Sequence, residues 1–194
     1  MEYVLQWLTP ESWDEVGSLD LDADAVAAAG EWPQPVREAL EVARTYGLPN
    51  EVYGMFYPSE QGSAFTQVTA KAGEGPYWRL GRHESSHALE YVLDAEGRVV
   101  IPDPALPEPR FVNSSLLAFL DALAAWDHRS EHLDDFDDLE PDDPEEEDDP
   151  AEAARVAFGL KIRDGLRGQD PDAFRDDVAT WWQRVYEEVE LDAI

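Results

Sequence analysis

The spacing of apolar side chains predicts a helix in the first quarter of the chain. Val36, Leu40 and Ala43 recur at intervals of three and four residues, and Gly47 follows them. That spacing places the three side chains on one face of an α-helix, and glycine is common just past a helix end. The sequence therefore predicts a helix over Gln34–Tyr46.

The 33 residues before this helix mix short apolar groups with proline and glycine. We expect residues 1–33 to form a loosely helical lead-in. Domains commonly contain about 150 residues, so the 194-residue chain is long enough for one compact core. We therefore place a single domain at residues 34–194.

Short apolar runs beyond Pro49 predict the strands of a sheet, because they are rich in aromatic and β-branched residues and are separated by turn-forming residues. The predicted strands cover residues 52–57, 64–69, 77–80, 89–93 and 99–101. Residues 94–97 lie between the last two runs, and Gly97 can supply the positive φ that a tight turn needs. Strands joined by short turns pair antiparallel, so the pattern predicts an α+β fold with a largely antiparallel sheet.

Two further apolar faces predict helices in the second half of the chain. The first face starts after Asn113 or Ser114, either of which can cap the helix, and it should pack on the sheet. Its members are Leu116, Phe119, Leu120, Leu123 and Trp126.

The last predicted helix opens at Asp170, with Pro171 in its first turn. Its apolar face comprises Phe174, Val178, Val185 and Val189, together with Trp181 or Trp182. Adjacent side chains cannot both centre on one helix face. We therefore expect one of the two tryptophans in the core and the other at its rim.

Residues 131–152 contain 14 acidic side chains in 22 positions. Such a segment has too little apolar surface to offset the entropy of ordering it, so we expect a disordered or weakly ordered insert. Its carboxylates are candidates for electrostatic contact with a partner, and a merely solvated loop is the alternative. The candidate contact residues are Asp134, Asp135, Asp137, Asp138, Asp142, Asp143, Glu145, Glu146 and Glu147.

The composition narrows the possible functions. With 44 acidic and 14 basic side chains, the net charge of −30 repels phosphate backbones and disfavours direct nucleic-acid binding. The electrostatic field of this negative charge attracts a basic protein. Alternatively, the acidity serves only to keep the chain soluble.

Other compositional features bear on location. The chain has no cysteine, its apolar runs are too short to span a membrane, and Met1-Glu2-Tyr3 lacks the basic start of an export signal. These features predict a cytoplasmic protein that does not associate with membranes.

One motif suggests metal chemistry. His83, Glu84 and His87 match the H-E-x-x-H pattern of zinc peptidases, in which two histidines bind the metal and the glutamate acts as a base. Only a helix brings residues four apart close enough to chelate, at about 6 Å along its axis against about 13 Å along a strand. Gly81 and the two serines inside the motif favour a loop, so we expect no cofactor. A zinc hydrolase stays open as an alternative.

Two other histidines, His128 and His132, stand beside the acidic segment. Nearby carboxylates offer each imidazole a hydrogen-bonding partner. We therefore expect both side chains to pair with carboxylates and not to bind a metal.

Five short segments of the sequence, within residues 36 to 191, resemble the SUKH superfamily of bacterial immunity proteins, particularly its fourth subgroup. The segments are Gly47-Leu48-Pro49; Tyr77-Trp78-Arg79-Leu80-Gly81; the hairpin with Leu93-Asp94 and Gly97-Arg98-Val99; Val112-Asn113-Ser114-Ser115-Leu116 with Phe119-Leu120; and Asp170-Pro171-Asp172-Ala173-Phe174 with Trp181-Trp182 and Glu187-Glu188.

The resemblance implies a twisted sheet flanked by N- and C-terminal helices. It also implies a non-enzymatic inhibitor of a secreted toxin, often a nuclease or a deaminase. A nuclease cleft is basic, so an acidic inhibitor can present carboxylates in place of phosphates. The leading hypothesis is therefore an immunity protein that binds a cognate, basic toxin. The superfamily also contains regulatory scaffolds, which remain the third alternative.

Overall fold

The computed structural model describes residues 3–21, 23–68, 75–83, 89–103, 106, 108–137, 139, 149–178 and 180–191. Within these residues a five-stranded antiparallel sheet runs in the order β1-β2-β3-β4-β5. The strands are β1 (Gln67–Val68), β2 (Tyr77–Arg82), β3 (Glu90–Leu93), β4 (Val99–Ile101) and β5 (Arg110–Asn113). The predicted hairpin is confirmed as β3–β4, where Gly97 has a φ of 78°.

In the described part of the chain, five α-helices accompany the sheet. They are α1 (Ala23–Ala28), α2 (Gln34–Tyr46), α3 (Leu116–Glu131), α4 (Pro150–Gln169) and α5 (Trp181–Glu190). Short 3-10 helices follow α1, α3 and α4, at Ala29–Glu31, Asp134–Phe136 and Pro171–Phe174. The helices and the sheet form the predicted α+β fold, and α2 has the predicted bounds.

Helix α3 lies in the middle of the fold. One side of it packs on the sheet, where the ring centroids of Phe119 and Tyr91 are 4.9 Å apart. Alanines 118, 122 and 125 are also buried, so the helix has no wide solvent face. The apolar stripe seen in the sequence therefore describes only one of the buried faces of α3.

The N-terminal cap of α3 differs from the prediction. The helix is capped by Ser115, whose side chain accepts a hydrogen bond from the N–H of Ala118, and not by Asn113 or Ser114.

The lead-in packs on this core. Leu8 and Trp13 are buried in it, and α1 is a helix of six residues. A fully buried carboxylate, Asp121 of α3, accepts hydrogen bonds from the main-chain N–H groups of residues 6, 7 and 8. The N-terminal segment is thus fastened to the central helix.

Several predictions about local structure and burial are wrong. Among the described residues, the strand predicted at 64–69 is limited to Gln67–Val68, and Phe65 before it has a φ of 63°. Residues 52–57 form a turn closed by a bridge between Val52 and Phe56, and Gly54 has a φ of 71° there. The single helix predicted from Asp170 is broken, because Pro171–Phe174 forms a 3-10 helix and α5 begins only at Trp181. Both Trp181 and Trp182 are buried, since different core side chains surround each of them.

Helix α4 and strand β5 were not predicted. Helix α4 has few buried side chains, so its apolar stripe is weak. Its start is nevertheless a recognisable signal, since Asp149 accepts a hydrogen bond from the N–H of Ala151 and Pro150 occupies the first turn. The ends of the predicted acidic insert at 131 and 150–152 therefore lie in helices α3 and α4.

Among the residues that the structure describes, no helix combines the length and the apolar character that a membrane span requires.

Candidate functional site

The turn at residues 52–57 presents a large exposed aromatic side chain. Tyr53 is 73% exposed, although Val52 before it and Phe56, the bridge partner of Val52, are both buried. Gly54 adopts the left-handed backbone conformation that glycine tolerates best, and this conformation reverses the chain directly after Tyr53. The turn therefore projects Tyr53 outward from a fixed base.

Two core side chains hold this turn in place. The indole N–H of Trp126 donates to the carbonyl oxygen of Tyr53 at 3.2 Å, and the hydroxyl of Tyr91 donates to the carbonyl oxygen of Met55 at 3.0 Å. Trp126 belongs to α3 and Tyr91 to β3. Because both donors come from rigid elements, the position of Tyr53 is set by the fold.

Tyr53 stands at a cleft of about 790 Å³ between the turn, the end of α3 and α5. Trp126 and Trp181 contribute aromatic surface to its lining, and Arg129 lies over the Trp126 ring at 5.0 Å from the centroid. Arg184 adds an exposed cationic group. A concave surface with aromatic and arginine side chains has the composition of a protein-binding hot spot.

His83, the first residue of the H-E-x-x-H motif, also lines this cleft. Its ring meets Trp181 edge-on with the centroids 4.9 Å apart, and its main-chain N–H donates to the carbonyl oxygen of Leu89 at 2.9 Å. Glu84 and His87 lie outside the described residues. The alternative of a zinc site at His83 and His87 is therefore not tested by the described residues.

Three of the candidate acidic residues form an exposed turn directly after α3. Asp134 and Asp135 lie on the 3-10 helix that follows α3, and Asp137 is the C-cap residue of that helix. We call residues 134–137 the acidic turn. The side chain of Asp137 pairs with Arg155 of α4 at 2.9 Å, which fastens the turn to that helix. The candidates outside the described residues are Asp138, Asp142, Asp143, Glu145, Glu146 and Glu147.

The acidic turn adjoins the cleft. Ser130 and Leu133 line the cleft, and Asp134 follows Leu133 directly. At this end of α3, burial raises the pKa of Asp127, and the nearby carboxylates of Glu131 and Glu15 raise it further. The structure thus places an exposed aromatic anchor at a cleft lined by arginines, and the acidic turn begins next to that cleft. Sequence reasoning found only the acidic part.

A second cleft, of about 1130 Å³, opens on the other side of the sheet. Tyr77 and Val100 contribute to its lining and belong to a small apolar cluster separate from the main core. Val178, predicted to be in the core, lines this cleft and is 46% exposed. This surface lacks an exposed aromatic anchor among its described residues.

The hydrogen bond from the Tyr91 hydroxyl to the Met55 carbonyl, which supports the Tyr53 turn, can be tested by substitution. We expect Tyr91→Phe to lower the free energy of unfolding by about 1–1.5 kcal/mol, because the ring stays in place while the buried Met55 carbonyl loses its donor. Burial raises the pKa of Tyr91 well above its ordinary value. Wild-type stability should therefore fall as pH rises above about 10, where the unfolded tyrosine ionises and the folded one does not.

The Tyr91→Phe variant should show a smaller alkaline decline than the wild type. Urea titrations at neutral and alkaline pH measure both effects. Tyr46→Phe, at a partly exposed tyrosine, is the control. Equal alkaline slopes in Tyr91→Phe and wild type would contradict the assignment.

Comparison with known proteins identifies the family. A protein-family model described as SUKH-4 immunity protein matches residues 11–188. The resemblance noted in the sequence began only at residue 36, whereas this match also covers most of the lead-in. It includes all the residues that line the cleft at Tyr53. Comparisons with curated proteins and with solved structures gave no significant match. With nearly its whole length matched and the antiparallel α+β fold in place, the chain belongs to the SUKH-4 immunity protein family.

Proposed function

We propose that this protein binds a cognate toxin and neutralises it by covering the toxin's working surface. The observation that carries the proposal is the family match over residues 11–188. Family membership supports an immunity role, and the face described above supports a means of contact. On this proposal the protein acts without catalysis and without a cofactor, inside the cell that makes it.

The proposed contact surface combines the cleft with the acidic turn. Tyr53 supplies a large amphipathic side chain, of the kind enriched at the centre of protein interfaces. Asp134 and Asp135 supply exposed negative charge directly after Leu133, which lines the same cleft. The remaining acidic candidates extend this charge along the chain from residue 138 to residue 147.

The charge of the chain supports a basic toxin. A net charge of −30 repels nucleic acid and speeds the approach of a positively charged protein. Toxins that act on nucleic acid hold phosphates in basic clefts. Carboxylates of the acidic segment are therefore suited to occupy such a cleft, and a nuclease or deaminase is the proposed target class.

Truncation of the exposed anchor should weaken toxin binding. We expect Tyr53→Ala to raise the Kd of the complex by about 30-fold, equivalent to about 2 kcal/mol, because the ring fills part of the interface. The melting temperature should stay unchanged, since the side chain is 73% exposed in the free protein. Calorimetric titration against the toxin measures the Kd.

Val178→Ala is the matched control, because it shortens an exposed apolar side chain in the second cleft. Its Kd should equal the wild-type value. A large loss from Val178→Ala, with none from Tyr53→Ala, would place the interface on the second cleft instead.

Removing charge from the acidic turn should slow association. We expect the double variant Asp134→Asn/Asp135→Asn to lower the association rate constant at low salt by about two- to fivefold, and the difference should fade at high salt. Stopped-flow mixing with the toxin measures this rate. These two positions avoid Asp137, whose pairing with Arg155 has a structural role.

The control carries the same change of charge elsewhere. Asp14→Asn/Asp20→Asn removes two exposed carboxylates from the N-terminal segment. If this variant slows association as much as the Asp134/Asp135 variant does, only the net charge matters and the acidic turn has no special part.

The immunity role itself is tested in cells. A toxin gene beside the gene for this chain is the candidate partner, and its expression alone should stop growth. Co-expression of this chain should restore growth, whereas an immunity protein for an unrelated toxin should not. Failure to restore growth, with both proteins present at comparable levels, would contradict the proposal.

A further inference from the structure

Two histidines and a glutamate converge at the C-terminal end of α3. His128, Glu131 and His132 each offer one ligand atom, and these atoms all lie within 4.8 Å of one another. The two imidazole centroids are 4.2 Å apart. Residues three and four apart share one face of a helix, which explains why the three side chains meet here.

A main-chain hydrogen bond orients one of the ligands. The Nδ1 atom of His132 lies 2.8 Å from the carbonyl oxygen of His128. A carbonyl oxygen only accepts, so in the neutral ring Nδ1 carries the hydrogen and Nε2 keeps its lone pair. Histidines that bind metals are typically held in this way by their second nitrogen. The expected pairing of His132 with a carboxylate is thus not made by Nδ1, and for Nε2 it stays a prediction.

An aromatic side chain of α4 packs beside both rings. The Phe158 centroid lies 5.9 Å from that of His128 and 6.3 Å from that of His132. Phe136, within the acidic turn, packs on Phe158 with the ring centroids 5.6 Å apart. These contacts restrict the imidazoles before any ligand arrives, which lowers the entropy lost on binding.

We propose that His128, Glu131 and His132 form a binding site for a borderline divalent cation, with Zn²⁺ as the best fit. Two imidazoles and one carboxylate are a donor set that zinc favours, and water can fill a fourth position. Donors around a tetrahedral zinc ion stand about 3.3 Å apart. Rotation of the exposed Glu131 side chain, with small adjustments of the two packed imidazoles, closes the remaining distance. The proposal does not depend on the immunity role, and it assigns no catalysis to the site.

Zinc titration of the untagged full chain tests the proposal. The protein is first dialysed against a chelator, and Zn²⁺ is then added in millimolar Mg²⁺, which occupies sites made of carboxylates alone. We expect one zinc ion to bind per chain. His128→Gln and His132→Gln should each weaken binding at least about tenfold.

Two control variants locate the site. His83→Gln removes a histidine in the cleft, and Asp134→Asn removes a carboxylate just beyond α3. Both should bind zinc like the wild type. Zinc binding that His83→Gln abolishes would move the metal to the H-E-x-x-H motif and overturn the proposal.

Cobalt provides a second readout that does not depend on affinity. Co²⁺ bound by the two imidazoles should give visible absorption bands of a four- or five-coordinate ion, and both histidine variants should lose them. If either variant folds poorly, Glu131→Gln, at an exposed position, replaces it and should alter the same bands. Absence of zinc binding in the presence of Mg²⁺, or binding unaffected by all three substitutions, would overturn the proposal.

Discussion

Asp121→Ala should lower the free energy of unfolding by about 3–5 kcal/mol, because it removes the acceptor that fastens the N-terminal segment to α3. The carboxylate accepts from the main-chain N–H groups of Gln6, Trp7 and Leu8 and from the hydroxyl of Tyr3. Asp121 itself is fully buried. Alanine would leave several donors without this acceptor, including the buried N–H of Leu8. Urea unfolding measures the loss.

Hydrogen exchange at residues 6–8 should also accelerate, which separates detachment of the segment from a general loss of stability. Asp121→Asn keeps one oxygen acceptor and should fall between wild type and alanine. Asp164→Asn, at an exposed position on α4, is the control and should change stability by less than about 0.5 kcal/mol. A loss below about 1 kcal/mol for Asp121→Ala would contradict the account.

The second large effect is expected at Asp170, where α4 ends. Its carboxylate accepts from the Asn113 side-chain amide at 3.0 Å, and from the N–H and hydroxyl of Ser114. Asn113 in turn accepts from the indole N–H of Trp182 at 2.8 Å. This network joins the end of β5 to α4 and α5. We expect Asp170→Ala to lower the free energy of unfolding by about 3–4 kcal/mol.

A double-mutant cycle with Asn113→Ala tests whether the network acts as one unit. The two single losses should sum to more than the loss in the double variant, by at least about 1 kcal/mol. Ser114→Ala removes only one side-chain partner at an exposed position and should have a smaller effect. Additive losses from Asp170→Ala and Asn113→Ala would show that the two side chains act independently.

Local patterns predicted the elements that local physics determines. The helix Gln34–Tyr46 combines an amphipathic stripe with a glycine stop, and Gly47 indeed has a positive φ. The β3–β4 hairpin combines β-branched runs with Gly97 at its turn. In both cases the side chains, the turn residue and the tertiary packing favour the same structure.

Predictions were wrong where tertiary contacts decide. The aromatic run at residues 52–57 is typical of a strand, but Gly54 and the two donors from Trp126 and Tyr91 hold it as a turn. Asn113 and Ser114 have the chemistry of helix caps, yet both bond to Asp170, a residue 56 or more positions away. Spacing along the chain contains no information about such distant partners.

Of the candidate site, only the acidic residues could be predicted from the sequence. The density of acidic residues after α3 is visible in the sequence, and Asp134 and Asp135 are exposed as expected. Tyr53 was not singled out, because nothing local distinguishes an outward tyrosine from the buried aromatics around it. Its exposure follows from the turn, which places it beside residues that are more than 70 positions later in the chain.

Titration of the toxin's activity with the purified chain tests the central claim, that this protein works by covering a partner, most directly. Activity should fall linearly and reach background at one chain per toxin, and Tyr53→Ala should shift the curve to higher concentration. Loss of activity at a small fraction of one chain per toxin would show that the chain inactivates the toxin catalytically. Full activity in the presence of excess bound chain would show that binding does not neutralise it.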